Sequence, residues 1–177
     1  MPRLDQGFPP IAGPGARCLV LGSMPSRRSL AEHRYYAHPR NAFWPIMGKM
    51  LGFDPGADYA TRSALLVAHG VAVWDVIARC HRPGSMDADI DKDSLEVNDF
   101  QAFFKDQTAL RAVFFNGQKA AQVFAGRVAP RLDLSPTVAM ETLPSTSPAN
   151  ARLDFDAKYR AWRAALAPQV AQRDRQE

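Results

Sequence analysis

The sequence predicts an α/β fold, a four-stranded parallel sheet with helices on both faces, and three observations predict it. Four short apolar runs, rich in β-branched or aromatic residues, each end in turn residues. Helix-length stretches separate them, and the two kinds alternate along the chain. Strands that alternate with helices pair in parallel, because each helical crossover brings the chain back to the same end of the sheet, and a sheet so built carries helices on both faces. With 177 residues, 46% hydrophobic and 23% charged, the chain is expected to form one domain over 1–177 with a full core.

Residues 1–16 hold Pro9, Pro10, Pro14 and three glycines, so they are expected to be an irregular lead-in. Arg17 to Gly22 (RCLVLG) is the first strand, followed by Gly70 to Ile77 (GVAVWDVI), Arg111 to Phe115 (RAVFF) and Thr137 to Leu143 (TVAMETL). Helices are expected over Ala42 to Leu51, Ala57 to His69 with Gly70 as the stop, Asp99 to Gln107, and Gln118 to Val128. A last helix from about Asp154 places Phe155, Tyr159, Trp162 and Leu166 at helical spacing, a core stripe rather than a ligand box, and Pro168 marks its end. The polar segment 169–177 is expected to fray.

Composition excludes several classes. No apolar run approaches the roughly 18 to 20 residues of a membrane helix, and Met1-Pro2-Arg3-Leu4-Asp5 lacks the apolar core of a signal peptide, so a cytoplasmic, nucleoid-associated location without membrane contact is expected. Cys18 and Cys80 are the two cysteines, too few for a four-thiolate cluster from one chain, and no disulfide is expected. A net charge of +4 and a pI near 9.3 lean mildly toward polyanionic partners. The acidic run 87–91 opens like a calcium loop, but Lys92 occupies the place of the turn glycine and Asn98 that of the bidentate Glu. His33, His38, His69 and His81 show no metal-ligand spacing, so no metal and no cofactor are expected.

In open parallel sheets the functional groups gather at the carboxyl ends of the strands. Here those ends run into Gly22-Ser23-Met24-Pro25, Arg79 to Arg82, Asn116-Gly117-Gln118-Lys119, and Ser145 to Arg152, which puts basic and hydroxyl groups on one edge. Loops such as 22–29 and 145–150 can offer backbone N–H groups and hydroxyls to a phosphate, or can be plain turns. Neither fits the phosphate-loop or dinucleotide fingerprints. Residues 35–44 interleave four aromatics with His38, Arg40 and Asn41, a composition that suits stacking on a nucleobase beside its phosphate. The alternative is that Phe43 and Trp44 are core residues at a helix start, and for Trp44 that reading is preferred.

Five blocks then stand in order: Gly22-Ser23-Met24-Pro25, Tyr35 to Trp44 (YYAHPRNAFW), Trp74-Asp75-Val76, Asn116-Gly117-x-Lys119-Ala120, and Ser145-Thr146-Ser147-Pro148-Ala149. Together they resemble the hypoxanthine-DNA glycosylase family of the uracil-DNA glycosylase superfamily, and the first two also resemble the mismatch-specific uracil glycosylases. The resemblance covers nearly all of residues 17–163. It implies a three-layer α/β/α sandwich around the four-stranded parallel sheet, and a monofunctional, metal-free glycosylase of base excision repair that leaves an abasic site. Asn41 then matches the catalytic Asn, Phe43 the ring that stacks on the extruded base, and Asn116 a pocket Asn whose donor and acceptor suit the N1–H and O6 edge of hypoxanthine or the N3–H and O4 edge of uracil. Gly22, Ser23 and Asp75 are further base-pocket candidates, with a structural hydrogen bond at the strand end as the plainer role for Asp75. Ser145, Ser147, Pro148 and Asn150, with Lys119, Arg152 and Arg40, are the candidates for gripping DNA. The family often has Gly where Ser26 stands, and the mismatch enzymes have Asn where Met24 stands, so the 22–25 loop itself is assigned no catalysis.

Cleaving the N-glycosidic bond builds positive charge on the sugar and negative charge on the base, so the pocket needs a placed water and donors aimed at the base. An amide does not titrate usefully, so Asn41 is expected to orient water through its carbonyl oxygen, and Asp75 is the nearest candidate for a true base. The expected partner is duplex DNA with a deaminated base, with single-stranded DNA as a further possibility, engaged by a monomer. Three alternatives stay open: a mismatch-specific uracil glycosylase, a noncatalytic nucleic-acid-binding module, and a hydrolase of free nucleotides, which would need an acidic metal cluster that the strand ends lack.

Overall fold

The computed structural model describes residues 3–135 and 137–170, and beyond Val170 the expected tail lies outside them. Among the described residues the elements are β1 Asp5–Gln6, β2 Cys18–Gly22, α1 Arg27–Glu32, α2 Phe43–Leu51, α3 Tyr59–Ala68, β3 Val71–Asp75, β4 Ile77–Cys80, β5 Glu96–Val97, α4 Phe100–Asp106, β6 Ala112–Asn116, α5 Gln118–Val123, β7 Ala139–Leu143 and α6 Phe155–Leu166. Single aspartates start three of the helices. Asp58, Asp99 and Asp154 accept the backbone N–H three residues on, at 2.9, 3.0 and 2.8 Å, and so satisfy a donor that a helix start leaves unpaired. No described helix is long and apolar enough to cross a membrane.

The main sheet has the order β3-β2-β6-β7, and every pairing in it is parallel. All five residues of β2 and of β3 are buried, as continuous apolar strands between two helical layers must be. From β2 the chain first moves outward to β3 and later crosses back to β6 and β7. Right-handed crossovers in opposite directions lie on opposite faces, which makes the sandwich. On one face α6 packs against α2, where Trp162 meets the edge of Phe43 at 6.2 Å. The reversal of direction falls between β2 and β6, and it opens a crevice at their carboxyl ends.

Three sequence expectations change. The run 70–77 is not one strand: β3 stops at Asp75, and β4 joins a separate antiparallel sheet of order β1-β4-β5. The strand end at the crevice is therefore Asp75 rather than Arg79 to Arg82. Arg82 itself is buried, donating to Pro25 O at 2.7 Å and pairing with Asp5 at 3.2 Å. The lead-in is also less irregular than its prolines and glycines suggest, since β1 pairs with β4 and Ile11 bridges to Val73. The helix expected over 118–128 is α-helical only through Val123 and continues as a π turn, Phe124–Val128.

Candidate active site

At the carboxyl edge of the main sheet lies a cavity of about 610 Å3, a volume suited to a small organic group such as a nucleobase. Three strand ends form its floor: Gly22 at the end of β2 with Ser23 after it, Asp75 at the end of β3, and Asn116 at the end of β6. The segment 35–41 forms one wall, the 145–150 loop another, and residues 85–88 a third. The acidic run read from sequence as a calcium-loop imitation thus reaches the site, where Asp87 Oδ1 accepts a 2.6 Å hydrogen bond from Ser23 Oγ. Among the described residues, no group of His, Cys, Asp and Glu side chains could hold a metal ion.

Asn41 borders this cavity. Its Oδ1 accepts the backbone N–H of Phe43 at 2.9 Å, the Asx turn that asparagine favours just before a helix. Because an N–H must be met by an oxygen, this contact sets which way the amide points. It leaves Oδ1 a second lone pair and Nδ2 two donors. Ala42 N donates to Thr146 O at 3.0 Å, so the Asn41 segment is tied to the opposite wall.

The 145–150 loop is held from three sides. Asn116 donates through Nδ2 to Thr146 Oγ1 and accepts Thr146 N at Oδ1, both at 2.9 Å. From α6, Trp162 Nε1 donates to Pro144 O at 2.9 Å, and the buried Lys158 ammonium reaches Ser147 O at 3.3 Å. The Asn116 amide is thus largely spent on the loop rather than open to a base edge, keeping one N–H and one lone pair. Gly117, at φ +95°, makes the sharp turn out of β6, with Ser145 packed against it.

The aromatic wall corrects one expectation. Phe43 is fully buried, with Trp44 and Trp162 edge-on to it, and it does not line the cavity. Tyr36 does line the cavity, beside Tyr35 and His38, and it stacks on Phe43 at 4.1 Å and 27°. A helix start whose next residues are buried draws Phe43 inward, while Tyr36 sits on a turn with φ +55°, a conformation rarely adopted by bulky residues and one that marks functional loops when it persists. Trp44 is core, as preferred. Of the proposed DNA contacts, Ser145, Ser147, Pro148 and Asn150 line the cavity, whereas Lys119, Arg40 and Arg152 lie outside its lining, the two arginines exposed.

Asp75 is the electrostatic anomaly of the floor. It is 4% exposed, Oδ2 is sealed without a hydrogen-bond partner, and its carboxyl is pushed up to about 7 by burial first and by nearby Asp87 second, with Arg82 pulling the other way. Asn98 Nδ2 bonds the backbone oxygen of Asp75 at 2.8 Å and leaves the carboxyl alone. Gly22 is required here, because a methyl group at that position would collide with Asp75 Oδ1 and stand 3.3 Å from Tyr36 Oη.

Residues 9–167 match the family model described as the uracil DNA glycosylase superfamily. A protein named hypoxanthine DNA glycosylase from Methanosarcina acetivorans is 34% identical over 152 residues, 84% of this chain and 90% of that protein. One of the same name from Methanosarcina barkeri is 36% identical over 118 residues, covering 66% and 73%. A solution NMR structure from Methanosarcina acetivorans, proposed to be a uracil DNA glycosylase, superposes with a TM-score of 0.78 at 28% identity over 94% of this chain and 99% of that one. The chain belongs to the uracil DNA glycosylase superfamily and is a DNA glycosylase.

Proposed function

We propose that this glycosylase removes hypoxanthine from deoxyinosine in double-stranded DNA, acting as a monomer and leaving an abasic site. The observation that carries the reading is the convergence on one cavity of an oriented amide, Asn41, an aromatic ring, Tyr36, and a braced hydroxyl loop, 145–150. The names of the Methanosarcina relatives support hypoxanthine as the base.

Extruding a base costs a few kcal/mol and is cheapest at a mispaired or damaged site. Stacking on Tyr36 returns roughly 1 to 3 kcal/mol of that cost. Ser145, Ser147 and Asn150 hold the phosphates flanking the extruded nucleotide, with Arg40, Lys119 and Arg152 adding charge around them, which gives affinity without sequence preference. Asn41 Oδ1 accepts from a water and aims it at C1′ as positive charge develops on the sugar.

The test is excision with EDTA present on duplexes carrying one deoxyinosine or one deoxyuridine, followed by alkali to reveal abasic sites. Cleavage at inosine is expected; cleavage at uracil alone moves the substrate to the mismatch type, and a metal requirement contradicts the water-and-amide mechanism. A second test separates the two rings. Tyr36→Leu is expected to weaken lesion-DNA binding by about 5- to 150-fold with a small change in Tm. Phe43→Leu is expected instead to cost about 1 to 2 kcal/mol of stability. Binding lost equally in both would return the stacking role to Phe43.

A further inference from the structure

In a purine deoxynucleoside, O6 lies at the end of the ring system opposite N9, so a base entering with its sugar last sets O6 on the floor of its pocket. The floor here is Gly22, with Asp75 Oδ1 over its Cα and Tyr36 Oη beside it. Both Tyr36 Oη and Asp75 Oδ2 are buried without hydrogen-bond partners. Since Oδ2 is sealed, Oδ1 is the carboxyl oxygen left for a ligand, and no described donor bonds it. Resting on the glycosylase reading above, we infer that Asp75 acts as a neutral carboxylic acid, donating a hydrogen bond from Oδ1 to the lactam oxygen of the departing base.

The chemistry asks for this donor. As C1′–N9 breaks, both bonding electrons leave with the base and delocalise onto O6, while water oxygen bonds C1′ and gives its proton to solvent. A donor already aimed at O6 stabilises that charge without reorganising, and a sealed, low-dielectric floor strengthens it. The base departs as an anion and takes its proton from water, so Asp75 keeps its own. An ionised Asp75 would set negative charge against O6 and oppose the step.

The surroundings of Asp75 favour the protonated form on balance. Burial and Asp87, from the turn after β4, favour the neutral acid, and Arg82, from the end of β4, opposes them less strongly. Tyr36, from the facing wall, is itself held protonated chiefly by burial. His38 borders the same cavity.

Single-turnover excision at inosine, followed from pH 5.5 to 9, tests this. The native protein is expected to lose about tenfold in rate per pH unit above 7. Asp75→Asn keeps an N–H donor and cannot ionise, so its rate, though lower at acid pH, is expected to stay level from pH 6 to 9. Asp75→Leu has neither the donor nor the titrating group and is expected to be level over the same range, about a hundredfold below the native rate at pH 6. Asp87→Asn removes the neighbouring charge and is expected to move the alkaline limb to lower pH. An alkaline limb that persists unchanged in Asp75→Asn belongs to another group or to the DNA and overturns the inference, as does an Asp75 carboxyl that titrates near 4 by carbon-13 NMR in the native protein. That NMR readout needs no activity and serves if a variant fails to fold. No release of hypoxanthine by the native protein at any pH would instead be a failure of the substrate reading.

Discussion

Asn41→Ala is expected to lower single-turnover excision at inosine by 10³-fold or more while leaving affinity for the lesion duplex within about threefold. The size follows from what is removed: a fixed group that aims water at C1′, where misplacing a reactant is worth several kcal/mol of barrier. The selectivity follows from what is kept. No charge is lost, Tyr36 stays on Phe43, and the 145–150 loop keeps its links to Asn116, Trp162 and Lys158. The Asx turn to Phe43 disappears, but Ala42 N still bonds Thr146 O and holds the wall. Paired measurements of binding and chemistry decide the matter, and equal loss of both would remove Asn41 from catalysis.

Arg82→Ala is expected to destabilise the protein by about 3 to 5 kcal/mol, because removing one partner of a buried pair strands the other. The Arg82 side chain is fully enclosed, against 12% exposure for the side chain of Asp5, and after its loss Asp5 keeps only a 3.9 Å approach from Arg27. The Pro25 carbonyl loses its 2.7 Å donor as well, which loosens the 22–25 loop at the cavity floor. For a chain of this length Tm should fall by on the order of 10 °C. Arg82→Met combined with Asp5→Asn is expected to recover much of that, since it removes both charges and keeps the volume. Thermal unfolding of the three proteins checks the pair, and a drop of less than about 1 kcal/mol in Arg82→Ala would mean that the pair does not hold the loop. Without Arg82 the Asp75 carboxyl is raised further, so any alkaline limb that depends on it moves upward.

Much of the fold is written locally. The continuous apolar run Cys18 to Gly22 cannot be solvated on either side, so it must be a central strand. Asp58, Asp99 and Asp154 announce helix starts, because their carboxylates satisfy backbone donors within their own first turn. Alternation of the two element types then dictates parallel pairing. The strand ends as the place to seek chemistry follow from the same logic, and Gly22, Ser23, Asn116 and the 145–150 loop do meet there.

What the tertiary structure decided are choices between groups that look alike in one dimension. Phe43 and Tyr36 are both aromatic and seven residues apart, and only packing of α2 against Trp162 sends Phe43 inward and leaves Tyr36 at the cavity. The stop of β3 at Asp75 depends on β4 pairing with β1 some seventy residues away, a contact with no local sign. The same pairing turns Arg82 from a basic group expected at the functional edge into a buried brace. Asp87 belongs to a polar run whose place at the cavity wall is set by a hydrogen bond to Ser23 across the fold. The sequence by itself determined the architecture and the edge that bears the site, since periodicity and capping act within a few residues. Which side chains face the cavity, and in which protonation state, is settled by long-range burial and by the charges that burial brings together.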